Sequence, residues 1–433
     1  CPSFIKAMKV FAKIGLLSFG GPTAQIALMH KELVENNNWL NEEKFLSALS
    51  FCMFLPGPEA MQLATYAGWR LHGIRGGLVA GLLFILPGSI LVLILASIYA
   101  YYGEVSEIQA IFIGIKATVI IIVIEALIKV SKRALKETHH WLLAGISFIA
   151  FFFFSVPFPF IIMSAGIIGF LMFSIENKEI EIGYNLGTIS LKKTLLTAII
   201  WLSIWLIPLA TMITVLGNEN IFVHLGLFFS KLAVVSFGGA YSVLAYMAQE
   251  VVENYNWVSA SEMLDGLGLA ETTNGPLILV NEFIGFLAAY RLGEGLPLLS
   301  GFIGALVTLW VTFTPCFLWI FVGAPFIDTI QRNPRLNGAL SGITAAVVGV
   351  ILNLTVWFSL HVFFEKVTKT ALGPLTIWLP ALSTVHLPTI LFAGLAAFLL
   401  GRWHLSLAKT IFIIGMFAFI WDALFKLNLK IIF

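Results

Sequence analysis

Two lysines stand at equivalent places in apolar segments, where a charged side chain is costly and is usually functional or reaches toward the membrane surface. Lys13 and Lys231 each precede a Ser-Phe-Gly-Gly sequence by five residues. Ser18 and Ser236 add a hydroxyl donor next to each glycine pair. Positive charge together with hydroxyl donors inside a membrane is suited to binding an anion, so these four residues are predicted to contact a substrate anion.

Glycines interrupt the apolar segments at four places and predict four helix N-termini. Such ends carry free backbone N–H groups and a charge of about +0.5, and they bind phosphate- and sulfate-like anions. A packing role is the alternative, because small residues let membrane helices approach closely. Breaks that recur in both halves favour the anion site, whose predicted glycines are Gly20, Gly21, Gly57, Gly238, Gly239 and Gly275.

Carboxyl, amide and hydroxyl groups flank the same breaks. Glu59 follows Leu-Pro-Gly-Pro and is a predicted proton carrier, although its own helix N-terminus is an equally good reason for a carboxylate there. Glu282 is a second predicted proton-coupling residue. Thr273 is suited to capping the next helix as well as to binding substrate. The predicted polar contacts to the substrate are Gln25, Gln62, Thr272, Thr273 and Asn281, with Glu271 as a further polar group at the edge of a break.

The chain contains an internal repeat. Residues 11–39 align without a gap with residues 229–257, at an offset of 237 − 19 = 218, and Gly57-Pro58 matches Gly275-Pro276 at the same offset. Further along, Pro87 matches Pro315 at an offset of 315 − 87 = 228. Self-similarity over such a length indicates two copies of one fold.

Composition places the chain in a membrane. Of its 433 residues, 59% are hydrophobic and 11% are charged, and the mean hydropathy is +0.96. Soluble proteins carry about 25% charged residues, so this chain could not cover a soluble surface. The long apolar runs lack the alternation of β-barrels and therefore predict helices. A net charge of only +2 gives no reason to expect nucleic acid as a partner, and the three cysteines show no metal-ligand spacing.

The predicted fold is an all-α integral membrane protein with two homologous halves and broken or re-entrant helices. Pieces near the breaks are shorter than the roughly 20 residues of a span: 4–19, 22–35, 45–55 and 58–71. Full spans are predicted at 76–102, 108–130, 141–156, 158–175, 194–216, 296–323, 337–363, 372–401 and 408–431. The predicted division is a first repeat at 1–178, a linker at 179–193, and a second repeat with C-terminal helices at 194–433.

Basic residues predict that the halves are inverted. Lys and Arg mark the cytoplasmic side. The 103–107 loop is acidic, and the basic residues lie at the far ends of the two spans that it joins: Arg70, Arg75, Lys129, Lys132, Arg133 and Lys136. The equivalent loop, 324–336, contains Arg332 and Arg335 and reads as cytoplasmic. Inverted repeats with broken helices are typical of secondary transporters. Lys366 and Lys369 would then lie outside, against the rule.

The motifs resemble those of the chromate ion transporter family in its long, two-domain form. The resemblance rests on Ser18-Phe19-Gly20-Gly21-Pro22, Leu55-Pro56-Gly57-Pro58-Glu59, Arg75-Gly76-Gly77 and Ser236-Phe237-Gly238-Gly239-Ala240. It implies chromate efflux from the cytoplasm, driven by the proton motive force, with sulfate as the look-alike anion. The chain departs from the family where Asn274 replaces a proline, Glu282 a common glutamine and Gln25 a common histidine.

These observations predict a multi-pass protein of the cell membrane that exports chromate or a similar tetrahedral oxyanion as an antiporter with protons. No cofactor, metal ion or enzyme activity is expected. The expected partners are the oxyanion, protons and the bilayer, and a homodimer is among the assemblies that the sequence leaves open. The alternatives are a sulfate uptake carrier or channel and, from another class, a membrane-embedded enzyme.

Overall fold

The computed structural model describes residues 2–172, 191–327 and 333–432, and it gives the side chains of these residues except for 240, 242 and 425–432. The described chain is almost entirely helical, as predicted. The helices are α1 (Phe4–Leu17), α2 (Gly21–His30), α3 (Glu42–Phe54), α4 (Glu59–Tyr102), α5 (Ser106–Ala134), α6 (Thr138–Phe152), α7 (Phe158–Met172), α8 (Leu191–Leu216), α9 (Ile221–Val235), α10 (Ala240–Gln249), α11 (Ala260–Thr272), α12 (Val280–Leu292), α13 (Pro297–Gly323), α14 (Pro334–Phe363), α15 (Leu387–Gly401) and α16 (Leu407–Ile432).

The predicted re-entrant pieces are present as helical hairpins. Inside α4 the backbone leaves helical geometry at His72 and Gly73, where Gly73 has φ +63°. The two arms then pack so closely that a Cβ on Gly68 would stand 2.3 Å from the Gly76 carbonyl oxygen. Glycine on both arms therefore permits the hairpin, and residues 59–71 form a short arm that returns along the long arm 74–102.

The two copies of the repeat share unusual backbone geometry. The helix before each Gly-Gly pair ends at a serine with almost the same dihedrals, φ −78° and ψ 63° at Ser18 and φ −77° and ψ 60° at Ser236. All glycines of the pairs have positive φ, between +74° and +94°. A π-helical turn follows each second arm, at Lys31–Asn36 and Glu250–Asn254. Repeated sequence thus produces repeated local structure, down to the conformations that only glycine adopts readily.

Hydrogen bonds join the halves at their breaks. The Gly57 N–H donates to the Ser236 carbonyl over 2.9 Å, and the Gly275 N–H donates to the Ser18 carbonyl over 3.0 Å. Each Gly-Pro break of one half therefore bonds to the Gly-Gly break of the other. A reciprocal exchange of this kind is what a two-fold relation between two copies produces.

Several predicted boundaries are wrong. The span predicted at 372–401 begins only at Leu387, and two antiparallel strands precede it, β1 (Val367–Leu372) and β2 (Leu375–Pro380). Gly373 at φ +62° makes the turn between them. Six described helices are long and apolar enough to cross a membrane, whereas α6 and α7 have 15 residues each. The linker prediction falls mostly outside the described residues, as does Arg332, and residues 191–193 already belong to α8.

Candidate functional site

A cavity of about 300 Å³ lies where the breaks of the two halves meet. Both Gly-Gly pairs and Gly57 line it, so three of the four predicted breaks share one cavity, while Gly275 lies outside its wall. The cavity reaches the end of the bundle where α5 finishes and α14 and α16 begin, because Arg133, Leu340 and Leu407 also line it. Its size falls at the lower limit of small-molecule sites, about 300–1,000 Å³.

Two basic side chains of α5 stand at the mouth of this cavity. Lys129 forms an ion pair with Glu125 one turn before it, with 2.5 Å between Nζ and Oε1. Arg133 contacts the Met53 sulfur through Nη2 at 2.9 Å and has no ion-pair partner among the described residues. An unpaired guanidinium offers several N–H donors in a fork that matches the oxygens of an oxyanion.

Acidic groups line another part of the wall. Glu59, the first residue of α4, is close enough to the second Gly-Gly pair that its Oε1 stands 3.8 Å from a Cβ placed on Gly239. Glu271 is buried and accepts a hydrogen bond from the Tyr241 hydroxyl over 2.7 Å. Both members of that pair line the cavity. The cavity therefore combines cations, break glycines and carboxyl groups.

The two repeated lysines lie elsewhere. Lys13 forms an ion pair with Glu32 at 2.7 Å, and its side chain is 53% exposed. The Lys231 ammonium stands 5.6 Å from the centre of the Tyr246 ring. Neither lysine lines the cavity. Their predicted substrate contact thus has no support from this arrangement, and each lysine instead binds a side chain that follows the Gly-Gly pair of its own half.

Most of the predicted hydroxyl and amide donors are used within the protein. The hydroxyls of Ser18, Ser236, Thr272 and Thr273 each donate to a backbone carbonyl three or four residues earlier in the same helix. A hydroxyl has a single proton, so these groups cannot also donate to a substrate in this state. All four stand outside the cavity wall.

The predicted amides and Glu282 hold helices together. Gln25 Nε2 donates to the Gly275 carbonyl at 2.5 Å and Gln62 Nε2 to the Pro56 carbonyl at 2.7 Å. Asn281 Nδ2 donates to the Thr312 hydroxyl at 3.4 Å. Glu282 is fully buried and accepts from the Ser89 hydroxyl at 3.0 Å. The Gln62 bond closes the break before α4, the other contacts lie in the packing between helices, and none of these four side chains lines the cavity.

The prediction of four helix N-termini with free N–H groups is corrected at two of them. The Gly57 and Gly275 N–H groups are occupied by the serine carbonyls of the opposite half. In the described part of the chain, no partner is seen for the N–H of Gly20, Gly21 or Gly238. α2 begins at Gly21, and the residues of its first turn from Gly21 to Thr23 line the cavity, so the unbonded N–H groups of this helix start lie beside it, except at Pro22, which has none.

A second polar cluster lies around Lys116 of α5, far from this cavity. Lys116 Nζ stands 3.2 Å from Asp265 Oδ1, and the Tyr99 hydroxyl donates to Asp265 Oδ2 over 2.8 Å. Nearby, Arg291 forms an ion pair with Glu262. Lys116 and Arg133 are 17 residues apart on α5, which corresponds to about 25 Å at 1.5 Å per residue. Ion pairs thus join the helices at the Lys116 end of the bundle, here called the tied end. The cavity opens at the Arg133 end, here called the open end.

Sequence reasoning missed the residues that give the cavity its charge. Arg133 and Lys129 served only as indicators of the cytoplasmic side, and Tyr241 was not singled out. A signal for Arg133 was available in its place near the end of an apolar helix, but only packing of α5 against the breaks brings it to the site. Glu271 was noted as a polar residue beside a break, and its partner Tyr241 follows the other break of the same half.

Comparison with known proteins agrees with the transporter-like architecture. The family model described as chromate transporter matches residues 5–170 and 223–421. The chain is 29% identical over 356 residues to a probable chromate transport protein of Synechococcus elongatus, covering 80% of this chain and 82% of that protein. It is 28% identical over 400 residues to a chromate transport protein of Pseudomonas aeruginosa, covering 90% of each.

A shorter relative matches only part of the chain. An uncharacterized transporter of Bacillus subtilis is 26% identical over 160 residues, which are 36% of this chain and 90% of the relative. No solved structure matches the chain. The family model covers both halves, including all four helix breaks and every residue of the cavity wall. The chain therefore belongs to the chromate transporter family.

Proposed function

We propose that this protein is a secondary transporter that exports chromate, or a similar tetrahedral oxyanion, across the cytoplasmic membrane. The observation that carries the proposal is the Arg133 guanidinium, which has no ion-pair partner among the described residues and stands in a cavity walled by both Gly-Gly breaks. Several relatives carry the name chromate transport protein, which supports chromate as the first substrate to test.

The oxyanion binds between Arg133 and the break glycines. Arg133 supplies charge-assisted hydrogen bonds, which are about twice as strong as neutral ones. The N–H groups at the start of α2 add donors and the positive end of a helix dipole. Lys129 is the second cation, and its pairing with Glu125 lowers the net charge at the mouth. The predicted lysines, serines and threonines are engaged in contacts within the protein, so they support this site from outside.

The halves are inverted in the membrane. The reciprocal bonds between the breaks support a two-fold relation, and five helical segments between the hairpins of the two halves, residues 74–102 and α5 to α8, support opposite insertion. The repeat aligns Lys116 with Thr344, since 344 − 116 = 228. Thr344 lines the cavity at the open end, whereas Lys116 is in the ion pair at the tied end. Equivalent positions are thus open on one side and closed on the other, as alternating access requires.

Lysine and arginine indicate that the open end faces the cytoplasm. Lys129, Lys132 and Arg133 lie at that end of α5, and Arg335 lies at the start of α14. The bases of the tied end, Lys116, Arg291 and Lys369, are each paired with an acid, and Glu104 and Glu107 add negative charge there. Under the positive-inside rule this state loads substrate from the cytoplasm, which is the orientation needed for export.

Proton coupling is part of the proposal. Glu59 lines the cavity beside the second Gly-Gly pair, so a proton on its carboxyl group would be felt by a bound oxyanion. Glu282 is buried beside Ser89 between helices, where it would act through helix packing and not through contact with substrate. Uptake of sulfate by a carrier or channel is the second candidate, because sulfate and chromate are both tetrahedral dianions and Arg133 suits either.

Counterflow in proteoliposomes tests the function. Vesicles that contain the purified protein and unlabelled chromate should accumulate labelled chromate from outside. An excess of sulfate or molybdate, which are both tetrahedral dianions, should compete more strongly than phosphate, which is partly monoanionic near neutral pH. Everted membrane vesicles, whose cytoplasmic face is outside, should take up chromate when energised, because their inside-positive membrane potential draws in a dianion even when one proton accompanies it. Labelled chromate that stays at the level of empty liposomes would contradict the proposal, and sulfate counterflow without chromate counterflow would favour the second candidate.

A further inference from the structure

We propose that Glu271 and Tyr241 form a proton-binding pair that loads together with the oxyanion, so that a proton and the oxyanion cross the membrane in the same direction. The inference rests on the proposed transport function and names its coupling residue and the sign of the coupling. It differs from the antiport that the sequence led us to expect, and it places the proton on Glu271 and not on Glu59.

The pair is built into the cavity wall. Glu271 is only 4% exposed, and its Oε1 accepts from the Tyr241 hydroxyl over 2.7 Å. Tyr241 follows the second Gly-Gly pair in α10, and Glu271 lies in the last turn of α11 just before the break at Gly275. In the described residues no lysine, arginine or histidine forms an ion pair with Glu271. A buried carboxylate without a cation is costly, so this group is one that a proton readily neutralises.

Glu271 and Glu59 differ in the helix end at which each carboxyl group lies. Glu59 is the first residue of α4, where free N–H groups and the positive helix end stabilise a carboxylate. Glu271 is the penultimate residue of α11, where unpaired carbonyls and the negative helix end oppose one. Of the two acids, Glu271 therefore has the stronger reason to take up a proton when further negative charge arrives.

The other charged groups that face this cavity come mainly from α4 and α5. They are Glu59 on α4 and Glu125, Lys129 and Arg133 on α5. The residues that α14 and α16 contribute to the wall, Leu340, Thr344, Ile351 and Leu407, do not titrate. The acid of α12, Glu282, is bonded to Ser89 outside the wall. Cys52 of α3 adds a thiol to the wall. Glu125 is paired with Lys129, and Glu59 lies at a positive helix end, so Glu271 is the acid of the described wall that lacks a positive neighbour of either kind.

The sign of the coupling follows from charge. An oxyanion at Arg133 and the break glycines adds negative potential at Glu271 and favours the reaction of its carboxylate with a proton to give the neutral acid. By linkage, protonated Glu271 binds the oxyanion more tightly by the same factor. The proton therefore enters and leaves with the oxyanion. An antiporter would need the reverse, a proton that weakens oxyanion binding.

The repeat shows that the pair occurs once. The positions equivalent to Tyr241 and Glu271 are Thr23 (241 − 218 = 23) and Met53 (271 − 218 = 53), and both line the same cavity. Neither titrates, and the Met53 sulfur is the atom that Arg133 contacts. In the first half the position equivalent to Glu271 is therefore occupied by a methionine that contacts a cation, Arg133. A single acid–hydroxyl pair predicts one proton from this pair per oxyanion.

Simultaneous measurement of oxyanion and proton movement tests the proposal. Proteoliposomes with a pH-sensitive dye inside and potassium with valinomycin to clamp the membrane potential are given an inward gradient of labelled sulfate, which carries no proton of its own near neutral pH. A second series uses chromate at alkaline pH. For the unaltered protein we expect the lumen to acidify as the oxyanion enters. A lumen that becomes alkaline, or keeps its pH while the oxyanion enters, would overturn the proposal.

Variants assign the proton to the pair. Glu271→Gln should still carry the oxyanion down its gradient. Its acidification per oxyanion moved should be at least five-fold smaller than that of the unaltered protein. Tyr241→Phe should keep acidification but shift its pH dependence, because the carboxyl group loses its hydroxyl donor. Glu43→Gln removes an exposed carboxylate of α3 outside the cavity and should match the unaltered protein in both fluxes. Unchanged acidification per oxyanion in Glu271→Gln would refute the assignment, as would its loss in Glu59→Gln alone.

The two proposals fail in different ways. If neither sulfate nor chromate enters vesicles of the unaltered protein, the transport function fails, and the coupling proposal falls with it. If oxyanion enters without acidification, the transport function stands and only the coupling proposal is wrong. Should Glu271→Gln not fold, the direction of the pH change in the unaltered protein and the pH profile of Tyr241→Phe still decide.

Discussion

Lys13 and Arg133 show why the role of a basic residue could not be predicted from the sequence alone. Lys13 recurs as Lys231, which made both lysines the natural anion ligands, yet Lys13 is paired with Glu32. Arg133 has no counterpart of like charge and lies at a helix end, a place where basic residues commonly only mark the cytoplasmic side. Its contact with Met53, 80 residues earlier, depends on how α5 packs against the breaks, and no local pattern encodes that.

Removal of the charge at Arg133 should weaken substrate binding. We expect Arg133→Gln to raise the KM for chromate about 10- to 100-fold, since a hydrogen bond to a charged group contributes about 1.5–3 kcal/mol. Arg133→Lys should recover part of this loss, because it keeps the charge and loses the bidentate fork. Initial rates of chromate transport over a range of concentrations give KM for each variant.

Lys132→Gln is the matched control for that series. It removes the same charge from the neighbouring residue of α5, which is exposed and does not line the cavity. A similar rise in KM in both variants would show that only the general charge at this end of the helix matters. A normal KM in Arg133→Gln would remove Arg133 from the binding site.

The helix breaks could be predicted as elements, but their partners could not. Gly-Gly and Gly-Pro within apolar segments locate the interruptions, and the recurrence of both motifs predicts equal geometry in the two halves, which the positive φ of each glycine bears out. The exchange between Gly57 and Ser236 joins residues 179 positions apart (236 − 57 = 179). Such a contact depends on how the two halves assemble. The motifs therefore predicted free N–H groups at Gly57 and Gly275, whereas both groups are hydrogen-bonded in the structure.

Alanine at two of these glycines should differ in effect. Gly21 has φ +74° and no atom within 4 Å of an added Cβ, so Gly21→Ala should cost only the strain of left-handed backbone, about 1–2 kcal/mol. Gly238 has φ +80°, and its Cβ would stand 2.7 Å from Val347 Cγ2. Gly238→Ala should therefore be the less stable variant. Thermal unfolding of both variants in detergent checks this order, and equal melting temperatures would contradict it.

His30 fastens the end of α2 to the start of α3 outside the spans. Its ring nitrogens stand 2.6 Å from Glu42 Oε2 and 3.1 Å from Glu35 Oε1. The hydrogen bond to Glu42 raises the pKa of His30 above its usual 6.5, with a smaller contribution from Glu35. A raised folded-state pKa adds stability below the unfolded pKa, and this stability is lost as the pH rises through the folded-state value.

The stability difference between the unaltered protein and His30→Gln should consequently depend on pH. We expect the unaltered protein to melt at the higher temperature near pH 6 and this advantage to shrink as the pH rises through the raised pKa of His30. Melting curves of both proteins at a series of pH values measure the difference. An advantage that grows with pH would mean that the two carboxylates do not stabilise a charged His30.

For the molecule as a whole, composition and repeat were enough to predict a multi-pass helical protein of the plasma membrane. The C-terminal region was read less well, because Trp378 and the apolar residues of β2 extend the hydrophobic run before α15 and made a strand look like the start of a span. The cavity could not be predicted as a unit, since Gly20, Arg133, Gly238 and Glu271 come from four separate helical hairpins or spans.

The central claim at this scale is that two halves inserted in opposite orientations build one oxyanion cavity. Asn36 and Asn254 test it most directly, because they are equivalent residues (254 − 36 = 218), both are exposed, and each donates to the glutamate four residues before it. In a background without Cys1, Cys52 and Cys316, a single cysteine is placed at one or the other position, and a membrane-impermeant maleimide is applied to intact cells and to everted vesicles. We expect Asn254→Cys to react only in intact cells and Asn36→Cys only in everted vesicles. Reaction of both cysteines from the same side of the membrane would contradict the inverted arrangement and the alternating-access mechanism derived from it.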